Sequence, residues 1–426
     1  MDRIIKKSYP SANQKERKSQ TMEKTILLLG TMDTKGLEFG YVKERITEKG
    51  HRALVMDVGV VGDPLLKPDI SHEEVAQSAG THLQEVIEQG HEGVAIEAMA
   101  KGAVSIVQDL YRSGKIHGIL ALGGSMGTSL ATAVMRTLPI GIPKVMVSTM
   151  ASSDTRPYLD NKDIVMIPSV ADVVGLNPVT KRVLATAAGA IVGMVTADPG
   201  PIRSDKPLIG MTLHGDLMSC MVACKSMLEE RGYEVVVFAA VGSGGKTLEE
   251  LIEQDVIHGV FDLVTHEVAC HLYNGLCDAG PSRLEAAGRK GIPQLVVPGK
   301  VDIISFSSGS GMPERFKGRK AWMHNPNLGA VRLNKEEMSL VAETMVEKLN
   351  RAVGPTAVII PRRGLSAYGK GWEAFYDGEA DFALFDILKT GLKPEIKVVE
   401  VDAHIKDRLF AERATDLLHE LMQKAV

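Results

Sequence analysis

The sequence predicts an α/β protein built as two Rossmann-like domains in tandem, each a doubly wound, mostly parallel sheet, with a ligand cleft between them. Three observations predict it. Short apolar runs alternate with helix-length amphipathic stretches, the pattern of a parallel sheet covered by helices on both faces. Glycine is frequent, 42 of 426 residues, while aromatics make up only 4%. That pairing suits a fold with many strand-to-helix turns better than an aromatic-rich binder of sugars or single strands. Finally, one set of landmarks occurs twice in the same order.

The first copy opens on the strand Thr25-Ile-Leu-Leu-Leu-Gly30, followed by a helical stretch from Lys35 to Lys49, a closing Gly50 and a second strand, Ala53-Leu-Val-Met-Asp57. The second copy runs Leu208-Ile-Gly-Met-Thr-Leu213, a helix from Leu217 to Glu230, Gly232, then Glu234-Val-Val-Val-Phe238. Ile116-His117-Gly118 is echoed by Ile257-His258-Gly259, and Gly141-Ile142-Pro143 by Gly291-Ile292-Pro293. The spacing between these last two landmarks is unequal, 25 residues in the first copy and 34 in the second. A chain of this length exceeds one ordinary core. The boundary is expected at Pro199-Gly200-Pro201, after a disordered polar tail, 1–22, and a nucleotide-binding domain, 23–200. The second domain, 201–426, gains two more strands and two helices from Pro355 onward, the last helix free to lie back over the first domain.

The net charge of -4 provides no long-range field for nucleic acid or an anionic membrane, so neither is an expected partner. The basic N-terminus lacks the apolar stretch of a signal peptide, and no run reaches the length of a membrane span. Four cysteines in so long a chain suit reduced thiols and a cytoplasmic location.

Ligands of open α/β sheets collect at the carboxyl ends of the strands. Two glycine-rich runs stand there as candidate phosphate cradles. One is Gly30-Thr31-Met32-Asp33-Thr34-Lys35-Gly36 and the other Gly123-Gly124-Ser125-Met126-Gly127-Thr128-Ser129, ahead of a helix expected from Leu130 to Leu138. Glycines let backbone amides approach an anion, and a following helix dipole favours negative charge; a tight turn with a capped helix is the bland alternative. A third run, Gly242-Ser243-Gly244-Gly245-Lys246-Thr247, ends like a P-loop but has Ala240 where the first glycine belongs. A second anion nest at Gly242, Gly244, Gly245 and Lys246 is the remaining expectation. His266 and Glu267, and separately Asp302, follow strands and are candidate acid–base groups or helix caps. Arg362-Arg363 is an anion clamp or a solvated turn. Cys220, Cys224, Cys270 and Cys277 include no Cys-x-x-Cys pair, so buried thiols are expected and metal is left open.

Taken together, these runs resemble the family of the nucleotide-binding N-terminal domain of the tomato mosaic virus resistance protein, whose bacterial members are uncharacterised. The resemblance extends from Thr25 to the C-terminus. It rests on the Gly30 and Gly123 runs with Ser153-Asp-Thr-Arg-Pro-Tyr158, Val174-Gly-Leu-Asn-Pro178 and Ala279-Gly-Pro-Ser-Arg-Leu284. Two positions depart from that family, His266 where Thr is more usual and Cys270 where Asp is. The resemblance implies bound ATP with Mg2+ and a homodimer. It places the nucleotide on Gly30, Thr31, Met32, Asp33, Thr34 and Lys35, on Gly123, Gly124, Ser125, Gly127 and Thr128, and on Ser148 and Thr149. Asp57, by analogy with dinucleotide folds, would meet a ribose hydroxyl. The expected function is an ATP-dependent enzyme of small-molecule metabolism with a second ligand in the interdomain cleft. The alternatives are a nucleotide-dependent regulatory protein, and a hydrolase or lyase using His266, Glu267 and Asp302 on a phosphorylated small molecule.

Overall fold

A computed structural model of the chain describes residues 22–197, 200, 204–307, 309, 311–368 and 375–425. The expected polar tail, apart from Met22, and most of the Pro-Gly-Pro boundary lie outside these residues. The chain divides into two compact units, Met1–Pro199 and Gly200–Val426.

The first unit contains β1 (Thr25–Gly30), α1 (Met32–Thr47), β2 (Arg52–Asp57), α2 (His72–Ser78), α3 (Leu83–Glu88) and α4 (Glu92–Arg112). It continues with β3 (Gly118–Gly123), α5 (Ser125–Met135), β4 (Lys144–Ser148), α6 (Arg156–Leu159), β5 (Val165–Pro168) and α7 (Pro178–Ala197). The five strands are all parallel, in the order β2-β1-β3-β4-β5. Their side chains feed two cores, one on each face. Leu27, Leu29 and Ala121 pack with α4 and α5, and Ile26, Leu28 and Val145 pack with α1 and α7. α7 has the length and composition of a membrane-crossing helix, yet Leu184, Ala187, Ile191 and Val195 turn inward onto the sheet.

The second unit repeats this plan and adds to it. Its elements are β6 (Leu208–Leu213), α8 (Met218–Glu230), β7 (Glu234–Ala239), α9 (Ser243–Glu253), β8 (Gly259–Asp262), α10 (His266–Leu272), α11 (Ala286–Lys290) and β9 (Gln294–Val296). Then come β10 (Ile303–Ser307), β11 (Ala321–Asn325), β12 (Leu328–Arg332), α12 (Lys335–Asn350), β13 (Thr356–Pro361), α13 (Gly378–Gly391), β14 (Lys397–Val401) and α14 (Arg408–Lys424). The parallel sheet runs β7-β6-β8-β9-β13-β14, and β10, β12 and β11 form a small antiparallel sheet. That small sheet was not legible beforehand. α14 does not lie free: Phe410, Ala414, Leu418 and Met422 are buried in the second unit's own core.

The repeated landmarks are structural devices. The His117 Nδ1 accepts the Thr25 amide at 3.1 Å, and the His258 Nδ1 accepts the Leu208 amide at 3.1 Å, so each imidazole anchors the first strand of its sheet. Gly50 and Gly232 end the first helix of each copy at φ +82° and +92°, where a side chain would be strained. The carbonyls of Pro143 and Pro293 accept the amides of Ile119 and Val260, the second residues of β3 and β8. The longer spacing in the second copy corresponds to the segment between α10 and α11, which carries Cys277 and Arg283.

Candidate functional site

In a 2-1-3-4-5 sheet the chain leaves β1 toward one edge and β3 toward the other, which opens a crevice above their carboxyl ends. The first unit has a cavity of about 390 Å³ at that point. Gly30, Thr31, Asp33, Thr34 and Lys35 line one side and Gly123, Gly124, Ser125 and Gly127 the other. Ile96 and Met99 of α4, Leu130 and Ala131 of α5, and Val58–Val61 after β2 make its apolar wall. The wall was not foreseen, because α4 is remote in sequence from both glycine runs.

The two runs are almost entirely helix. α1 begins at Met32 and α5 at Ser125, so only Thr31 and Gly124 separate strand from helix. The Met32 amide at the start of α1 is taken by the Asp57 Oδ1 at 3.0 Å. α5 begins at Gly124 without a side-chain cap, so its first-turn amides remain for an anion. Thr128 and Ser148 are buried beneath that turn. The Thr128 hydroxyl donates to the Gly124 carbonyl at 2.7 Å and lies 2.6 Å from the Ser148 hydroxyl. They support the turn and are not part of the lining, and Met32 likewise faces the core. Thr149 is exposed, its hydroxyl 3.8 Å from where a Gly124 Cβ would stand. One expectation is corrected. Asp57 is buried, and its Oδ1 also accepts the Gly59 amide at 2.9 Å, so it serves α1 and the chain turn rather than a ribose. The Lys35 ammonium donates to the Val173 carbonyl and ties α1 to the segment before α7.

The expected nest after β7 is real, but its anion is the protein's own. Glu267 Oε1 accepts the amides of Gly242 at 2.7 Å and Gly245 at 3.0 Å. A Cβ on Gly245 would fall 2.1 Å from Glu267 Oε2, so only glycine leaves room. Arg283, fully buried, donates to Glu267 Oε2 at 2.7 Å, to both oxygens of Asp262 at 2.6 Å and to Glu249 at 3.3 Å. Burial raises the Glu249 and Glu267 carboxyls above their ordinary range, against the pull of Arg283. Glu267 is therefore structural and occupies the amides of Gly242 and Gly245, while Gly244 packs on the backbone, a Cβ there falling 1.8 Å from the Ala239 carbonyl oxygen. Lys246 follows these glycines in the first turn of α9.

The crevice of the second unit lies between β6 and β8, the positions that correspond to β1 and β3. His214, just after β6, and His266, opening α10, meet there edge to face, ring centres 5.9 Å apart. Lys300 after β9 points its ammonium at the His214 Nδ1 at 2.8 Å and the Asp216 Oδ1 at 3.0 Å, and stands 5.4 Å from the Tyr368 ring centre. Its backbone is left-handed, φ +60°, a strained state that surrounding contacts must hold in place. The Lys300 amide donates to Leu365 and its carbonyl faces the His266 Nδ1 at 2.9 Å. His266 lies in this crevice beside Cys270 and Ser305. Asp302 is buried against Ser366 at 2.8 Å and Arg332 at 3.1 Å. His266, Glu267 and Asp302 engage three separate sets of partners and do not form one catalytic group. His214, Asp216 and Lys300 were missed, since no local spacing marks residues that meet only through sheet order. Arg363 pairs with Asp402 at the surface, the solvated-turn alternative.

The two domain models of an uncharacterised protein family, UPF0261, match this chain, the N-terminal one over residues 24–200 and the C-terminal one over 206–422. A UPF0261 protein of Clostridium tetani is 44% identical over 404 residues, covering 95% of this chain and 100% of that protein. Another, from Brucella melitensis, is 36% identical over 93% of this chain and 95% of its own length. The ToMV resistance protein Tm-1(GCR237) of Solanum lycopersicum is 35% identical over 78% of this chain, which spans 45% of that longer protein.

Proposed function

We propose that this chain, which belongs to the uncharacterised protein family UPF0261, binds ATP in the cavity of its first unit as an enzyme of small-molecule metabolism. The observation that supports the reading is the cavity's position and make-up. An uncapped helix start and a glycine run face an apolar wall at the topological switch point, where nucleotides bind in sheets of this order. In this reading the phosphates meet the amides of Gly124–Gly127, and the base lies against Ile96, Met99 and Leu130. Mg2+ would find oxygen ligands among Asp33, Glu92, Thr31, Thr34 and Ser125, hard donors of the kind it prefers. His214, Lys300 and Asp216 at the corresponding edge of the second unit supply acid–base groups for a second substrate.

Gly124 offers the decisive variant. Its backbone, φ -82° and ψ -158°, is open to any residue, and a Cβ there meets nothing nearer than Thr149 Oγ1 at 3.8 Å. Gly124→Leu therefore fills the cavity mouth without forcing the fold. Calorimetry with Mg2+–ATP should show one saturable site in the parent and no heat in the variant. Thermal midpoints should agree within about 2 °C. AMP, NAD and inorganic phosphate serve as comparators. Equal ATP binding by parent and variant would refute the assignment of the site.

A further inference from the structure

We infer that His266, Cys270 and Cys277 form a binding site for a soft divalent transition metal of the zinc class at the carboxyl edge of the second unit's sheet. Each offers one donor atom, and the three donors lie within 4.8 Å of one another. The Cys270 sulfur is 3.3 Å from the His266 Nε2. Bond lengths of about 2.3 Å to sulfur and about 2.0–2.1 Å to nitrogen put such donors about 3.6 Å apart across a tetrahedral zinc ion. The side chains are thus near the separation a bound ion imposes.

The imidazole is set for ligation. Its Nδ1 faces the Lys300 carbonyl at 2.9 Å, and a carbonyl can only accept, so Nδ1 carries the proton and Nε2 presents its lone pair to the Ser305 hydroxyl at 3.1 Å and the Cys270 sulfur at 3.3 Å. A backbone carbonyl holding the far nitrogen is the usual outer support of a metal-bound histidine. Helix geometry supplies two of the donors, since positions 266 and 270 share one face of α10. The chain then doubles back at Asn274, φ +53°. Gly275 allows the close pass, as a Cβ there would lie 2.7 Å from the Cys270 sulfur. The Leu276 amide, bonded to the Ser305 carbonyl at 2.7 Å, fixes Cys277 in place.

The other thiol pair shows the contrast. Cys220 and Cys224 are also one turn apart, 3.9 Å between sulfurs, but the Cys224 thiol turns to the Ala411 carbonyl, and both lie in an apolar core. Three protein donors leave one position of a tetrahedral ion open, as in catalytic rather than structural sites. His214 stands beside His266, and the Lys300 ammonium and Asp216 meet His214 in turn. The inference concerns the second unit and does not depend on nucleotide binding in the first.

The test uses the full chain, reduced and stripped with chelator, titrated with Co2+ and then Zn2+. The expected result is one cobalt per chain, with a thiolate-to-cobalt charge-transfer band and the strong visible bands of a tetrahedral ion, both displaced by zinc. Cys277→Ser and His266→Ala should lose the band, while Cys224→Ala keeps it. A weak octahedral spectrum in the parent, or an unchanged band in folded Cys277→Ser, would overturn the site. Should Cys277→Ser fail to fold by circular dichroism, the double variant Cys220→Ala/Cys224→Ala decides. A band retained there supports the site, and a band lost there refutes it.

Discussion

Arg283 shows how much one residue can organise. It is buried with Asp262, Glu267 and Glu249 around it, and Glu267 in turn holds the first turn of α9 through Gly242 and Gly245. Arg283→Met leaves three buried carboxylates without their cation, a change that costs about 3–5 kcal/mol. The pH dependence has a definite sign. Burial already raises Glu249 and Glu267 from 4.5, so folding binds protons, and stability from these groups falls as pH rises above 4.5. Without Arg283 the shift grows. The variant's deficit in urea unfolding should therefore be largest near neutral pH and shrink toward pH 4.5. A deficit that is the same at both pH values would show that the carboxylates do not carry it. None of this was legible locally: Glu267 reads as a candidate base until Arg283, sixteen residues away, is placed beside it.

Among the elements, α4 matters most to the proposed nucleotide cavity, because Ile96 and Met99 form its wall. Its position depends on Gly102, where a Cβ would come 1.9 Å from the Val75 carbonyl oxygen of α2. Backbone cannot step aside as a flexible side chain can, so Gly102→Ala must push α2 and α4 apart. The expected cost is about 1–3 kcal/mol in denaturant unfolding, with weaker ATP binding in calorimetry. A stability loss with ATP affinity intact would separate α4 from the cavity. The glycine runs themselves illustrate a limit of local reading. Gly, Ser and Thr are poor helix formers, so helices were expected to begin at Lys35 and Leu130. The Asp57 carboxylate and the packing of Gly30 against Phe39 instead start α1 at Met32, and Gly124 starts α5 at Ser125.

On the scale of the whole chain, the two units have separate sheets and separate cores, and the two family models meet near residue 200. Residues 22–200 expressed alone should unfold in one cooperative thermal transition and bind Mg2+–ATP with the affinity of the full chain. A fragment that folds but has lost ATP would mean that the second unit completes the site. Each unit also keeps its candidate site at the same place, between the first and third strands of its copy. The glycine runs of the first are replaced in the second by His214 and His266, so one architecture carries two chemistries.

The sequence by itself determined the α/β class, the tandem repeat and the two glycine runs of the first unit. These depend on apolar periodicity and on turn residues whose meaning is local: a left-handed helix end wants glycine wherever it occurs. Only the tertiary structure decided what the charged and nucleophilic residues do. Strand order, not spacing, brings His214, His266 and Lys300 to one edge of the second sheet, where the turn at Asn274 sets Cys277 beside Cys270. It also turns Asp57 and Glu267 from candidate ligand groups into internal caps. A buried charge is defined by its partners, and in a crossover fold those partners come from strands and loops far apart in the chain.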